Sequence, residues 1–148
     1  FFGGALYAQA CPLARLTNVT TTDNWAAEQG GAIAFAAANG ALVVENAILA
    51  GDEPDEIAPL TSADAAAISV TSSLVSGGFS GDDVIGGDPL FVDAAGGDLR
   101  LGPASPAVDR ADDALAPAAD MLGHERIDIA GVGLEGATAD LGAYEQIP

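Results

Sequence analysis

The sequence predicts an all-β solenoid of about three coils, followed by an irregular C-terminal cap. The coils are predicted by three segments in which apolar residues alternate around one polar position: 14–23, 41–51 and 68–77. Val44 lies 28 residues after Leu16 and 26 residues before Val70, and a near-constant period of this size is typical of a solenoid. We therefore predict coils in residues 1–77 and, where the period is lost, a cap in residues 78–148 that packs on the last coil.

Alignment of the three segments predicts which side of each strand faces inward. Strand alternation places four columns on one face: Ala14/Leu42/Ile68, Leu16/Val44/Val70, Asn18/Asn46/Ser72 and Thr20/Ile48/Leu74. This face is apolar except at Asn18, Asn46 and Ser72, which we expect to stack as an internal polar ladder because a buried amide needs a partner. The other face is mixed and is expected to point outward: Arg15/Val43/Ser69, Thr17/Glu45/Thr71 and Val19/Ala47/Ser73.

The first half of the chain divides into strands separated by glycine-rich or polar corners. The predicted strands are 3–10, 14–22, 30–38, 41–50 and 66–76. Asn39-Gly40 predicts a tight corner with positive φ. Residues 52–65 are expected to be a polar excursion, since Pro54 and Pro59 block a regular element.

The second half is broken into short pieces by glycine pairs and prolines. A short helical turn is predicted in residues 111–119, and a last strand in residues 140–145. The open end of a solenoid exposes strand edges that can pair with other chains, so a cover is required there. Residues 78–148 are interpreted as that cover.

Composition excludes several classes of partner. The 148 residues carry 4 basic and 22 acidic side chains, so the formal charge is 4 − 22 = −18, and no lysine is present. Such a chain repels nucleic-acid phosphates and anionic membrane surfaces. No apolar run is long enough to span a membrane, so direct membrane insertion is not expected. A saline habitat, cation binding and simple solubility remain alternative reasons for the acidity.

Several ordered motifs resemble a known family of β-helical proteins. The corners Gly3-Gly4-Ala5-Leu6 and Gly30-Gly31-Ala32-Ile33 resemble the repeats of polymorphic outer-membrane proteins. The later motifs, in order, resemble the C-terminal region of bacterial secreted proteins of the "choice-of-anchor Q" type: Ser72–Phe79, Gly87–Asp93, Gly97–Leu101, Ser105–Asp109, Asp120-x-x-Gly123-x-x-Arg126 and Asp140-Leu-Gly-Ala-Tyr-Glu145. The resemblance implies a right-handed parallel β-helix that is secreted or displayed on a bacterial-type cell surface. One departure is the insertion of residues 128–138 before the last motif.

The same resemblance places Arg126 in one motif set with three carboxylates of the cap. We predict a bidentate ion pair that fixes the cap to the coils, formed by Arg126 with Asp109, Asp140 and Glu145.

The sequence offers weak signals for a metal and none for catalysis. Five aspartates lie within 17 residues of a glycine-rich loop and are candidates for calcium, which prefers oxygen ligands on turns: Asp82, Asp83, Asp88, Asp93 and Asp98. They match no known calcium-loop spacing, and solvated turn aspartates are the alternative. No catalytic residues are predicted, because paired carboxylates fall in loops rather than on stacked strands.

The function expected from these observations is structural or adhesive, in a secreted or cell-surface protein. The alternatives are the C-terminal end of a carbohydrate-active β-helix enzyme with its catalytic coils upstream, and a fragment that self-assembles. The partners expected are a polysaccharide, or another β-helix chain stacked on the open first coil at Phe1-Phe2.

Overall fold

The computed structural model describes residues 1–37 and 39–148 and shows a mostly β protein, 34% strand and 5% helix. The strands are β1 (Leu6–Gln9), β2 (Leu13–Thr17), β3 (Thr20–Thr21), β4 (Ile33–Ala36), β5 (Ala41–Glu45), β6 (Ile48–Leu49), β7 (Ile57–Pro59), β8 (Ile68–Val75), β9 (Asp82–Ile85), β10 (Phe91–Asp93) and β11 (Asp98–Leu101). One helical turn, α1 (Ser62–Ala65), precedes β8, and a 3₁₀ turn (Ala94–Gly96) joins β10 to β11.

A three-stranded parallel sheet forms in the order β1-β4-β7. Leu6 pairs with Ile33, and Ile33 pairs in turn with Ile57. The predicted strands at 3–10 and 30–38 are confirmed within these bounds, except that residue 38 lies outside the described residues. Asn39 has φ +77°, as predicted for the corner.

The prediction of no regular element in residues 52–65 is wrong. Residues 57–59 form β7, and Pro59 is tolerated because β7 is an edge strand of its sheet. A capping box then starts α1: the Thr61 hydroxyl accepts from the Asp64 amide, and the Asp64 carboxylate accepts from the Thr61 amide.

A second parallel sheet curls along the path β2-β5-β8-β6-β3. The eight residues of β8 pair first with β5 and then with β6, so this strand continues through the curl. The bend falls at equivalent positions in successive strands, all in the left-handed region: Asn18 (φ +50°), Asn46 (+53°), Ser72 (+41°) and Asp83 (+50°). The polar column of the sequence is therefore where the chain bends.

This bend corrects the predicted orientation of the residues that follow it. Ala47 was expected to point outward but is fully buried, while Ile48 was expected to point inward. Ala47 packs in an interior cluster with Val44 and Leu49, whereas Ile48 packs on the opposite face of the sheet. A left-handed residue interrupts strand alternation, so the pattern that holds up to Val44 cannot be extended past Asn46.

The sheet continues beyond the predicted boundary at residue 77. Gly77 and Gly78 (φ +78° and +85°) turn the chain back along β8. The following strand, β9, therefore begins with Asp82 opposite Thr71 and pairs with β8 in parallel. Between them Phe79 packs against the interior cluster. The prediction placed Phe79 and β9 in the cap, but they belong with the sheet and its interior cluster.

The C-terminal segment (residues 86–148) contains the antiparallel hairpin β10–β11 and a long irregular stretch. The predicted helical turn is a single one, in which the Asp112 carbonyl accepts from the Leu115 and Ala116 amides. The strand predicted at 140–145 is not formed, because amides in this stretch, such as those of Asp140 and Glu145, donate to carboxylates instead of a neighbouring strand.

The C-terminal segment lies along the outer face of the curled sheet. A second, outer cluster joins the two parts: Ile48, Ala50, Leu74, Leu101, Ala107, Val108, Ala111, Ala139 and Leu141. The Gly142 amide donates to the Asn46 carbonyl at 2.7 Å, and the Ala143 amide donates to the Thr20 hydroxyl. The segment therefore contacts several strands from the side, and it packs on Leu74 of the last predicted coil as well as on the earlier strands. Among the described residues, no helix is long and apolar enough to cross a membrane.

Candidate functional site: a buried carboxylate cluster

Three carboxylates meet inside the C-terminal segment. Asp109, Asp140 and Glu145 each place an oxygen within 4.8 Å of the others, and their exposed fractions are 0%, 0% and 2%. We call these three residues the carboxylate cluster. Charged side chains are rarely buried this completely without compensation, so the bonds of each one are informative.

Asp140 is held by backbone amides on both oxygens. Its Oδ1 accepts from the Asp109 amide at 2.7 Å and its Oδ2 from the Gln146 amide at 2.5 Å. Burial, with a further contribution from the charges of Glu145 and Asp109, nevertheless raises the pKa of Asp140 to about 7.

Asp109 is the least satisfied member of the cluster. Its Oδ2 accepts from the Ile129 amide at 2.8 Å, but its buried Oδ1 has no hydrogen-bond partner among the described residues. Burial is also the main reason that the pKa of Asp109 is raised.

Of the three carboxylates predicted to pair with Arg126, Glu145 is the one that forms the ion pair. Arg126 Nη1 donates to Glu145 Oε2 at 2.8 Å, and Arg126 Nε donates to the Pro117 carbonyl at 3.1 Å. The pair is thus made through one nitrogen rather than two, and the described residues show no bond from Arg126 to Asp109 or Asp140. Both partners belong to the C-terminal segment, so this pair holds the segment together internally.

A neighbouring turn, within the Asp120-x-x-Gly123 motif, adds a fourth acid beside the cluster. Asp120 Oδ1 accepts from the Leu122 and His124 amides, both at 2.8 Å, and its Oδ2 accepts from the Glu145 amide at 3.0 Å. Burial alone would raise the pKa of Asp120, but the amides of Glu145, His124 and Leu122 outweigh it, and the pKa is lowered. The Asp-x-x-Gly spacing, with Gly123 at φ +87°, is the signal from which this turn could have been inferred.

The predicted polar ladder is joined to the C-terminal segment. Asn46 Nδ2 donates to Asn18 Oδ1 at 3.2 Å and to the Asp112 carbonyl at 3.0 Å, and Asn46 Oδ1 accepts from the Asp112 amide. Asn18 Nδ2 donates to the Asp140 carbonyl at 3.2 Å. Ser72 shares the backbone bend but is partly exposed, and the described part of the chain shows no hydrogen bond between its side chain and Asn46. The two asparagines therefore attach the C-terminal segment to the sheet.

The five aspartates considered for calcium do not come together. No three of them lie within 4.8 Å of one another in residues 1–37 and 39–148. Asp83 pairs with Arg110 and Asp98 with Arg100, while Asp88 and Asp93 accept from nearby loop amides. Asp88, Asp93 and Asp98 are thus used locally, as expected for turn aspartates, whereas Asp83 pairs with a residue 27 positions away.

A second acidic pair borders a surface cavity. Glu56 and Asp52 line a depression of about 430 Å³ together with Phe79. Burial, followed by the hydrogen bond to Asp52 and its charge, raises the pKa of Glu56 to about 7. The Asp52 carboxylate accepts three hydrogen bonds, from Thr21 Oγ1 and from the backbone amide and side-chain Nδ2 of Asn24.

The chemistry available to the carboxylate cluster follows from its burial. An acid–base pair acting on a polysaccharide must flank the substrate bond in an accessible cleft. The three oxygens are instead enclosed and mostly bound by amides, an arrangement that can hold a proton or a cation.

Comparison with protein-family models, with curated proteins and with solved structures finds no match to this chain.

Proposed function

We propose that this chain is part of a right-handed parallel β-helix of about three coils, from a secreted or cell-surface protein, with a structural or adhesive role and no catalysis. The observation that supports it best is the register of the parallel strands. Leu16 pairs with Val44 and Val44 with Val70, while Leu6 pairs with Ile33 in the other sheet. Each partner lies one period further along the chain in both sheets, which is the pattern that a coiled chain produces.

The corners support the same arrangement. Gly3 and Gly30, at equivalent positions, have φ +66° and +69°. Asp23, Gly51 and Gly77 form another such set, with φ +55°, +83° and +78°. Recurrence of one backbone conformation at equivalent corners is expected if each period traces the same turn.

An adhesive role is supported by an exposed aromatic side chain that shares a surface depression with polar groups. Trp25 is 66% exposed and borders a shallow depression of about 230 Å³, lined also by Asp23, Asn24 and Glu53. An indole face beside hydrogen-bonding side chains suits a sugar ring, which has an apolar face and hydroxyl edges. The formal charge of −18 favours a neutral over an acidic polysaccharide.

The test is a glycan array probed with the whole chain, alongside Trp25→Ala and Leu13→Ala as a matched control. Leu13 is also exposed but lies on β2, away from this depression. We expect binding of neutral glycans that Trp25→Ala reduces at least tenfold and Leu13→Ala leaves unchanged. Absence of any bound glycan would remove the adhesive role, and cleavage of a polysaccharide in a reducing-sugar assay would favour an enzyme.

Self-assembly is a second candidate, favoured by the free edges of β1, β2 and β3. Each of these strands ends the order of its sheet, and Phe1, Tyr7 and Leu13 around them are 90%, 43% and 50% exposed. Unpaired edges next to apolar side chains are typical sites of strand addition. Size-exclusion chromatography with light scattering across a range of concentrations should then show growing oligomers, whereas a constant monomer mass would rule this out.

A further inference from the structure

The geometry points to a divalent-cation site of the calcium type, formed by Asp109, Asp140 and Glu145 inside the C-terminal segment. This site is separate from the five loop aspartates singled out in the sequence, and it does not depend on an adhesive role for the chain.

The first argument is charge. Three carboxylates are buried within 4.8 Å of one another, and Arg126 is the one cation that contacts them in the described residues. The remaining three arginines are engaged elsewhere: Arg15 with Glu45, Arg100 with Asp98 and Arg110 with Asp83. With all three carboxylates ionised, the cluster would hold three negative charges against the single positive charge of Arg126, and uncompensated buried charge is strongly destabilising, so the cluster must hold protons or a cation. A divalent cation supplies that balance.

The second argument is the unused oxygen. Asp109 contributes an oxygen to the cluster, is 0% exposed and has an Oδ1 that accepts no hydrogen bond from the described residues. Buried side-chain acceptors in native proteins nearly always have a partner, and a missing one commonly marks an ion or water. The amides that hold Asp140 and Glu145 orient the other two carboxylates, as the outer shell of a metal site does.

The third argument is ligand chemistry. The cluster brings together one oxygen from each of three carboxylates, and no histidine or cysteine belongs to the group. Calcium takes 6–8 oxygen ligands in flexible geometry, whereas zinc prefers nitrogen and sulfur ligands. Magnesium demands a near-ideal octahedron and retains several waters, which suits an enclosed cluster less well. Calcium is therefore the cation to test first.

The experiment starts with the whole wild-type chain, stripped with chelator and titrated with CaCl₂ at pH 7.5 by calorimetry, with MgCl₂ in parallel. We expect one calcium per chain and a thermal midpoint that rises by about 8 °C when calcium exceeds Kd by about 100-fold. No heat of binding and no midpoint shift at calcium about ten times the millimolar Kd of weak extracellular sites would overturn the proposal. In that case protons alone balance the cluster.

Variants locate the site. Asp109→Asn should abolish the calcium-dependent shift while keeping the circular dichroism spectrum, because it removes a charge and a ligand oxygen but keeps the side-chain size. Asp93→Asn, at the exposed end of β10 before the 3₁₀ turn, is the matched control and should retain the full shift. An unchanged shift in Asp109→Asn, or a loss confined to Asp93→Asn, would place the ion elsewhere and overturn the assignment. Should Asp109→Asn fail to fold, the wild-type stoichiometry still decides whether calcium binds, and Asp140→Asn locates it.

Discussion

Asn46 is the residue through which the curled sheet and the C-terminal segment are joined. It is fully buried, and its amide group serves Asn18 on one side and both backbone groups of Asp112 on the other. It also adopts φ +53°, a conformation that asparagine tolerates better than most residues. Side-chain bonding and backbone conformation thus both favour asparagine here.

Replacement of Asn46 by alanine should lower the free energy of unfolding by about 2–4 kcal/mol. The Asp112 amide would lose its acceptor in a partly buried position, and alanine is less favourable at positive φ. Urea denaturation followed by circular dichroism measures the loss. Asn46→Gly separates the two causes, because glycine also lacks the side-chain amide but adopts positive φ without strain.

Ser72→Ala is the control for that substitution, since Ser72 also has positive φ but its side chain makes no hydrogen bond to Asn46 in the described part of the chain. This substitution should lower the free energy of unfolding by less than about 0.5 kcal/mol. A loss as large as that of Asn46→Ala would mean that the bend, and not the amide network, determines stability.

Arg126 supports a second residue-scale prediction, because its guanidinium reaches Glu145 and the Pro117 carbonyl at once. A lysine has one ammonium group and cannot serve both acceptors in this geometry. Arg126→Lys should therefore lower the free energy of unfolding by about 1–3 kcal/mol, as measured by thermal and urea melts.

Arg100→Lys provides the comparison, since Arg100 also pairs with a carboxylate, that of Asp98, but its side chain is 56% exposed. Exposed pairs contribute little, so less than about 0.5 kcal/mol is expected. Equal losses in the two variants would indicate that burial of the Arg126 pair has no effect.

At the scale of elements, Gly142 is a point of close approach between the C-terminal segment and the sheet. Its φ is +82°, and a Cβ atom there would lie 2.5 Å from Thr20 Oγ1 and 2.9 Å from Ile48 Cδ1. The close approach permits the 2.7 Å bond from the Gly142 amide to Asn46. A side chain at this position would push the segment away from the sheet.

Gly142→Ala should lower the free energy of unfolding by about 3 kcal/mol or more, and it should make proteolysis within residues 86–148 faster. Gly136→Ala is a matched control, because Gly136 has φ +85° but no atom within 4 Å of the added Cβ. The control isolates backbone strain, of about 1 kcal/mol. Similar costs for both variants would show that close packing at Gly142 is unimportant.

The strands were largely predictable from sequence, and the reasons are local. Alternation identified the strands around Leu42–Val44, and the period identified their parallel partners. The β7 strand was missed because Pro59 signals a break, and only the tertiary position of β7 at an edge makes this proline acceptable. Alternation beyond Asn46 failed because one left-handed residue changes which face follows it.

The sequence predicted which residues form the carboxylate cluster, but it did not predict their hydrogen-bond partners. Its residues were grouped with Arg126 through motif resemblance, but no spacing indicates that Asp140 and Glu145 are bound mainly by amides. The partners lie in irregular chain, as with Ile129 for Asp109 and Gln146 for Asp140. Irregular segments have no period, so their hydrogen bonds cannot be read from sequence.

For the whole molecule, buried acids make stability depend on pH in an unusual direction. The pKa of Glu56 is about 7 in the folded chain, above its ordinary value of 4.5, because of burial and of Asp52. Between these two pH values the folded state holds the proton more firmly than the unfolded state. This contribution to stability is therefore complete below about pH 4.5 and is lost as the pH rises through about 7.

Glu56→Gln should flatten the decline in thermal midpoint between pH 4.5 and 7 relative to wild type. Glu53→Gln, at an exposed neighbouring position, should leave the decline unchanged. The melts are run in chelator so that cation binding does not contribute. A steeper decline in Glu56→Gln would contradict the assigned direction.

The bonds from Asn18 to the carbonyls of Asp140 and Gly142 have a kinetic consequence. They join residues 122 and 124 positions apart, whereas strand pairing in the sheets spans at most 28. Closing so long a loop is entropically costly, whereas each strand pairing closes a much shorter one. In a refolding experiment the two sheets are therefore expected to form first, and attachment of the C-terminal segment to Asn18 is expected to be the slower, separate step.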